Sequence, residues 1–412
     1  MGRGFEANAV IGPSMGELLK VSGLDVQRGR KEVLKDFDLE ISPGELVIIS
    51  GENGSGKSTL IETVAGIIPP QSGSIHVHGD LLSDGHGRRS RPEHRFGLCL
   101  QADGFTGDEI LSQRLQDVAK LYGKTFESQA LLNEWNIGHR SNDLLTTLSK
   151  GQKRKVSFLS SIVPAIVQDK PTLILLDEPD AGLDAISIEK LADTLANLRA
   201  SNHGILMATH HPELLKGADR IIGIDGTVQK QKVEGGVLLK PEASDSSYSF
   251  IGTRLDFRTM ASLSNNGISG LLVIGALLAL LQIESWPKSL LHAAVLAPSL
   301  ACGLSGDAVY AKLRESRASD WWYAMKALPP NGLFITILLG LMYSCLSSLI
   351  FVQHFSIILI LSGTLFCAIC ALSMLMLSMI SRRLERPQAL SLRLLTPFFI
   401  LPWALMVGRL TT

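Results

Sequence analysis

Apolar positions divide the chain into two regimes. Up to about residue 233 they come in short runs broken by Gly, Pro and charge; beyond Ile268 they come in long runs with few breaks. In the first regime, residues 18–26 and 36–41 alternate enough to predict strands of an antiparallel flank. Pro43 and Gly44 mark a turn into Leu46-Val47-Ile48-Ile49, a run that reads as a buried strand. Residues 60–66 then predict the first turns of a helix, and residues 69–75 a turn and a short strand. Residues 96–100 are apolar, and a helical region is expected from there to about Trp135. A further helix opens at residues 148–152 and runs through Val156, Leu159 and Ile162, with Ser149 as its N-cap. Residues 172–176 and 205–209 are continuous apolar runs of the kind that parallel strands buried on both faces require.

The second regime predicts membrane spans. Apolar runs fall at about residues 268–283, 290–304, 333–352, 355–380 and 390–407. A span needs about 20 apolar residues, so the last three are long enough. The first two are short and are joined by Glu284-Ser285-Trp286-Pro287-Lys288, which suits a hairpin turning at an interface with Trp286 as anchor. Basic residues collect before the first run (Arg254, Arg258), between the second and third (Lys312, Arg314, Arg317, Lys326) and around residues 382–393 (Arg382, Arg383, Arg386, Arg393). That alternation predicts a cytoplasmic N-terminal half and five spans. Residues 307–331 mix charge with Trp321, Trp322 and Tyr323, as an interfacial amphipathic helix would.

Composition narrows the picture only a little. The 412 residues exceed what one core holds, so at least two domains are expected. A formal net charge of zero argues against a nucleic-acid partner. Mean hydropathy is +0.23, and the apolar excess lies in the second regime. Cys99, Cys302, Cys345, Cys367 and Cys370 have no metal or redox spacing. Residues 1–14 read as a disordered tail, with no secretory signal, and residues 234–253 as a linker. The loop over residues 84–93 carries a basic run that suits either solvent or lipid headgroups.

Candidate chemistry sits at the predicted strand ends. Residues 51–59 read Gly-Glu-Asn-Gly-Ser-Gly-Lys-Ser-Thr, a phosphate-binding loop between a strand and a helix. Its glycines let main-chain N–H groups approach phosphates, and the helix N-terminus adds partial positive charge. Lys57 has the reach for β- and γ-phosphates, and Ser58 the hydroxyl for Mg²⁺. The apolar run at 172–176 ends in Asp177-Glu178, where Asp177 suits Mg²⁺ and Glu178 a general base for water. The run at 205–209 ends in His210-His211, aimed at the same sheet edge, where a γ-phosphate contact fits.

Together these residues make residues 18–233 resemble the nucleotide-binding domain of an ABC transporter. The Walker A motif falls on Gly51, Asn53, Gly54, Ser55, Gly56, Lys57, Ser58 and Thr59; the Q-loop glutamine on Gln101; and the signature on residues 148–152. The Walker B strand ends at Asp177, with Glu178 as catalytic glutamate; the D-loop is residues 181–184; and the switch histidine is His210. The resemblance implies an α/β P-loop NTPase with an antiparallel β flank and a helical subdomain over residues 15–233. It implies an ATP hydrolase using Mg²⁺ held by Ser58, Gln101 and Asp177. Ser149 and Gly151 would touch the γ-phosphate of a second copy.

Two departures stand out: Lys150 where glycine is usual, and Gln27-Arg28-Gly29 where an aromatic usually stacks on adenine. Residues 307–333 loosely resemble the coupling segment of ABC-2-type permeases, which implies an all-α transmembrane bundle over residues 254–412. The ATPase half is also similar to the haem-exporter ATPase of cytochrome c maturation. The expectation is a multi-pass protein of the cell membrane with a cytoplasmic ATPase, contacting lipid and working as a homodimer or with a homologous half-transporter; an accessory subunit stays open. Export is expected. The alternative is a membrane-anchored ATPase that transmits force or regulates a partner without cargo.

Overall fold

The computed structural model describes residues 16–88, 90, 96–230, 243–245, 257–280, 288–305, 316–327 and 333–381. The tail over residues 1–14 and the apolar run at 390–407 lie outside the described residues. The chain forms two compact units. One comprises Met1–Ser249 with Tyr323–Ala327, the other Phe250–Trp322 with Leu328–Thr412.

The first unit opens with strands β1 (Leu19–Arg28) and β2 (Lys31–Ile41), paired antiparallel through a tight turn at Gly29-Arg30. Leu19, Leu24 and Val26 of β1 are fully buried, a bulge between Val21 and Leu24 returning the alternation to the buried face. Strands β4 (Ser72–Val77) and β5 (Asp80–Asp84) complete a four-stranded sheet in the order β2-β1-β4-β5. Between β2 and β4 in sequence come β3 (Leu46–Ser50) and α1 (Lys57–Val64). The sheet that positions the site has the order β11-β10-β3-β9-β8-β6. Its members are β3, β6 (Gly97–Cys99), β8 (Leu173–Asp177), β9 (Gly204–Ala208), β10 (Arg220–Gly223) and β11 (Val228–Lys230). All pairs are parallel except β10 with β11. Every residue of β8 and β9 is buried, which is why those strands read as unbroken apolar runs.

Between β6 and β8 the expected helical region is interrupted. It consists of α2 (Leu111–Leu121), strand β7 (Lys124–Phe126) and α3 (Gln129–Glu134). Gly123, at φ +70, ends the first helix in a left-handed turn that a residue with a Cβ rarely takes. Strand β7 pairs antiparallel with β12 (Ala243–Asp245), so part of the stretch expected to be a linker is a strand. The signature helix α4 (Lys150–Val167) packs on β6, followed in the chain by α5 (Ala185–Ala200) and α6 (Pro212–Lys216).

The described part of the second unit is helical: α7 (Phe257–Leu280), α8 (Lys288–Leu304), most of α9 (Ala318–Ala324), α10 (Leu333–Ser347) with a π-helical end at Ser348–Val352, and α11 (Ile357–Ser381). Two stretches, Leu333–Val352 and Ile357–Met376, are long and apolar enough to cross a membrane, with mean hydropathies of 2.2 and 2.4. Asn266–Ala279 and Leu291–Leu304 are apolar but shorter. The packing faces combine apolar clusters, such as Ile274 with Ile335 and Leu339 and Val295 with Phe351 and Leu359, with some small and polar residues. A Cβ at Gly340 would meet Cys367 Sγ at 2.5 Å. Ser299 and Ser344 hydroxyls lie 2.7 Å apart, and the Asn266 amide donates to Thr336 Oγ1 at 2.7 Å.

Candidate functional site

The carboxyl ends of β3, β9, β8 and β6 lie side by side, and the loops leaving them carry most of the candidate residues. After β3 the chain turns through Gly51, Gly54 and Gly56 at φ +152, +78 and +122 and enters α1 at Lys57. A Cβ at Gly56 would meet Val33 Cγ1 at 2.4 Å, and one at Gly51 would meet Ser55 Oγ at 2.7 Å. Glycine is therefore required twice over, by backbone angle and by space. Lys57 is buried, and its ammonium folds back over the loop, donating to the carbonyls of Gly51 (2.7 Å) and Glu52 (2.9 Å).

Ser58, on the first turn of α1, meets Asp177 at the end of β8: its hydroxyl donates to Oδ1 at 3.1 Å. Asp177 is fully buried, and its Oδ2 has no hydrogen-bond partner among the described residues. Burial, opposed by the Ser58 hydroxyl and reinforced by the charges of Glu62 and Glu178, pushes the Asp177 carboxyl up to about 6. A buried, half-satisfied carboxylate beside a hydroxyl is a donor set suited to a hard cation such as Mg²⁺. No cluster of three His, Cys, Asp or Glu side chains that could hold a metal occurs among the described residues.

Next to this pair, Gln101, just beyond β6, donates its amide to Glu178 Oε2 at 3.2 Å. Glu178 itself sits at φ +50, a left-handed conformation that costs a residue with a Cβ about 1–2 kcal/mol. Its N–H donates to Ala208 O at 2.9 Å, so the turn after β8 leans on the end of β9. There Thr209 Oγ1 donates to Asp180 Oδ1 at 2.8 Å and accepts from the His211 N–H at 3.0 Å, while His210 is exposed.

Ser149 is the N-cap of α4, as its sequence predicts. Its hydroxyl accepts from the Gln152 N–H at 3.3 Å, and the Gln152 side chain accepts from the Ser149 N–H at 3.0 Å. This reciprocal capping box satisfies two helix-end donors at once. Gly151 lies against the D-loop, where an added Cβ would meet Gly182 O at 2.8 Å. No hydrogen bond among the described residues joins Ser149 or Gly151 to the phosphate loop of the same chain.

One participant was not anticipated. Arg154, a turn into α4 and 4% exposed, places its guanidinium among the carbonyls of Leu100, Gln101, Asp177 and Glu178. In sequence it is one cation in a run of four, Lys150, Lys153, Arg154 and Lys155, and nothing local separates it from its solvated neighbours.

A glycine cradle opening a helix, a paired Ser58 and Asp177, and a glutamate directly after that aspartate define a P-loop nucleotide-binding ATPase. Comparison with known proteins places it more closely. Residues 34–181 match the ABC transporter family. A cytochrome c biogenesis ATP-binding export protein, CcmA, from Gluconobacter oxydans is 32% identical over 200 residues, which are 48% of this chain and 84% of that protein. A putative hemin import ATP-binding protein, HrtA, from Staphylococcus haemolyticus is 32% identical over 206 residues, 48% of this chain and 91% of that protein. A putative ABC transporter ATP-binding protein from Streptomyces avermitilis is 34% identical, but the match spans only 34% of its length. Among solved structures, an ATP-binding subunit of an ABC transporter is 28% identical over 50% of this chain and 85% of its own, with a TM-score of 0.43. The chain belongs to the ABC transporter family, and its first unit is an ABC ATPase domain.

Proposed function

We propose that this chain is an ABC half-transporter in which ATP hydrolysis by the first unit drives a substrate across the membrane through the second. The observation that carries the reading is the presence, on one polypeptide, of the Ser58–Asp177 and Gln101–Glu178 pairs and of two helices with the length and apolarity of membrane spans. ATP is the substrate of the site. Its phosphates lie against Gly51, Asn53, Gly54, Ser55, Gly56, Lys57 and Thr59. Lys57 exchanges its two carbonyl partners for phosphate oxygens, so an anionic acceptor replaces neutral ones. Ser58, Asp177 and Gln101 would hold Mg²⁺, which would supply positive charge against the negative charge of the phosphates. Glu178 accepts the proton of the attacking water, Gln101 orients that carboxylate, and His210 contacts the γ-phosphate. At the place an aromatic would occupy in the family, exposed Gln27 and Arg28 stand instead.

The described second-unit helices expose Phe334, Leu338, Ile357, Ile358, Leu361 and Leu365. An apolar face of this kind fits lipid, and supports a multi-pass protein of the cell membrane with a cytoplasmic ATPase and an all-α, ABC-2-like bundle. The coupling role falls to residues 307–330. Tyr323–Ala327 belongs to the same unit as the ATPase, with Met325 buried and its sulfur 3.9 Å from the Tyr122 hydroxyl, which supports that assignment. Export is the favoured direction, with a lipid-like or amphipathic cargo.

The test is ATPase activity of the purified protein in lipid vesicles, wild type beside Glu178→Gln, screened against lipids, haem and amphipathic compounds. Stimulation by one class, absent in the variant, supports transport. A flat rate across the screen favours an ATPase that transmits force to a partner instead.

A further inference from the structure

The residue that ties the site together is Arg154. Its Nε donates to Glu178 O at 2.9 Å, and its Nη1 donates to Leu100 O at 2.7 Å and Gln101 O at 3.3 Å. Its Nη2 donates to the carbonyls of Asp177 and Glu178. One buried guanidinium therefore bridges the ends of β6 and β8, the two strands that deliver Gln101 and Glu178. The bridge acts on the main chain, and the two residues it holds are the ones whose side chains meet at 3.2 Å.

The conformation of Glu178 makes this bridge consequential. At φ +50 the residue occupies a sparsely populated region and stays there only if its surroundings over-determine it. Two of those surroundings are visible: the Glu178 N–H is held by Ala208 O, and the Glu178 carbonyl is held twice by Arg154. A rigid planar fork fixes a peptide orientation in a way a single ammonium on a flexible stem does not. Arg154 also belongs to the helix that Ser149 caps, two residues beyond Gln152 of the capping box. A shift of the signature end of α4 therefore carries the guanidinium with it.

We propose that Arg154 is a positioning residue for hydrolysis, holding Glu178 and Gln101 as one unit and making the position of the signature helix felt at the base of the same chain. The inference rests on the reading of Glu178 as general base. It predicts a defect in turnover and none in nucleotide capture, because Arg154 touches neither Lys57 nor the phosphate loop.

The experiment uses the full chain in lipid vesicles: wild type, Glu178→Gln, Arg154→Gln, Arg154→Lys and the double variant Arg154→Gln/Glu178→Gln. For Arg154→Gln, kcat is expected to fall about 10- to 100-fold, the scale of a base displaced by about an ångström. The KM for ATP and the Kd for a fluorescent ATP analogue should stay within about threefold of wild type. Arg154→Lys should recover little of the lost turnover. In single-turnover assays the double variant should be no slower than Glu178→Gln alone, because a residue that acts through Glu178 has nothing left to act on. A folded Arg154→Gln with wild-type kcat, a matched loss of nucleotide affinity, or losses that multiply in the double variant would each overturn the proposal. Should Arg154→Gln fail to fold, Arg154→Lys decides by the same split between kcat and Kd. An active Glu178→Gln would instead remove the base assignment itself, a failure distinguishable from that of Arg154.

Discussion

Glu178 and Lys57 carry opposite halves of the proposed chemistry, and their variants should fail differently. Glu178→Gln keeps the size and the hydrogen bond to Gln101 but removes the proton acceptor, so kcat should drop by about 10²–10⁴ with ATP affinity retained. Steady-state turnover beside equilibrium binding checks this, and rapid turnover would remove Glu178 as the base. Lys57→Ala should lose about tenfold or more in ATP affinity, since a charge-assisted phosphate contact disappears; unchanged affinity would sink the phosphate-loop assignment. Asp177→Asn offers a third contrast. It removes an ionised group from a fully buried position with an unpartnered oxygen, so the nucleotide-free protein should unfold at higher temperature while Mg²⁺-dependent ATPase activity is lost. Calorimetry and activity on the same sample test both signs. At this scale the sequence placed Lys57 and Ser58 at the passage from a strand to a helix and Asp177 at a strand end, which is where the structure has them. It was silent on the left-handed Glu178 and on the inward-facing Arg154. Both depend on which main-chain carbonyls converge in space, and carbonyls are the same in every residue.

At the scale of elements, continuous apolar runs were reliable guides. Strands β3, β8 and β9 are buried on both faces, and no alternation is left to confuse them with helix. The region between Gln101 and Trp135 was less legible, because its breaks are made by Gly123 and by the pairing of β7 with a strand more than a hundred residues away. Window-based periodicity carries no information about such a partner. The close packing of α4 on β6 was hidden for the same reason. It depends on Gly97, where a Cβ would come within 1.8 Å of Ser161 O, a main-chain atom that cannot swing away. Gly97→Ala should therefore destabilise the first unit by about 1–3 kcal/mol or more, as overpacking does. The midpoint of thermal unfolding should fall, and ATP with Mg²⁺ should restore part of it by binding the folded state. A variant as stable as wild type would mean that α4 and β6 separate at little cost.

The whole-molecule prediction concerns how many copies make a working site. Within one chain, Gly151 lies by the D-loop and Ser149 caps α4, with no hydrogen bond among the described residues from either to the phosphate loop, while Lys57, Ser58 and Asp177 assemble without them. If Ser149 and Gly151 contact ATP, as the family resemblance implies, the contact must come from a second copy, and a C2 pair would complete both sites at once. Nucleotide then becomes part of the interface, so association should depend on ATP being bound and unhydrolysed. Glu178→Gln with ATP and Mg²⁺ should migrate as a dimer of its ATPase units, measured by cross-linking of single cysteines placed at residues 150 and 53 in the full chain in vesicles. Wild type under turnover should cross-link less, and Lys57→Ala should not respond to ATP. Lys150, which stands where the family usually has glycine, adds a cation at the same edge, so Lys150→Gly should change the ATPase rate in the dimer while leaving the thermal midpoint in place. Cross-linking that is indifferent to nucleotide in all variants would break the link between the signature and the phosphate loop. The site would then have to be complete within one chain, or be completed by a different partner.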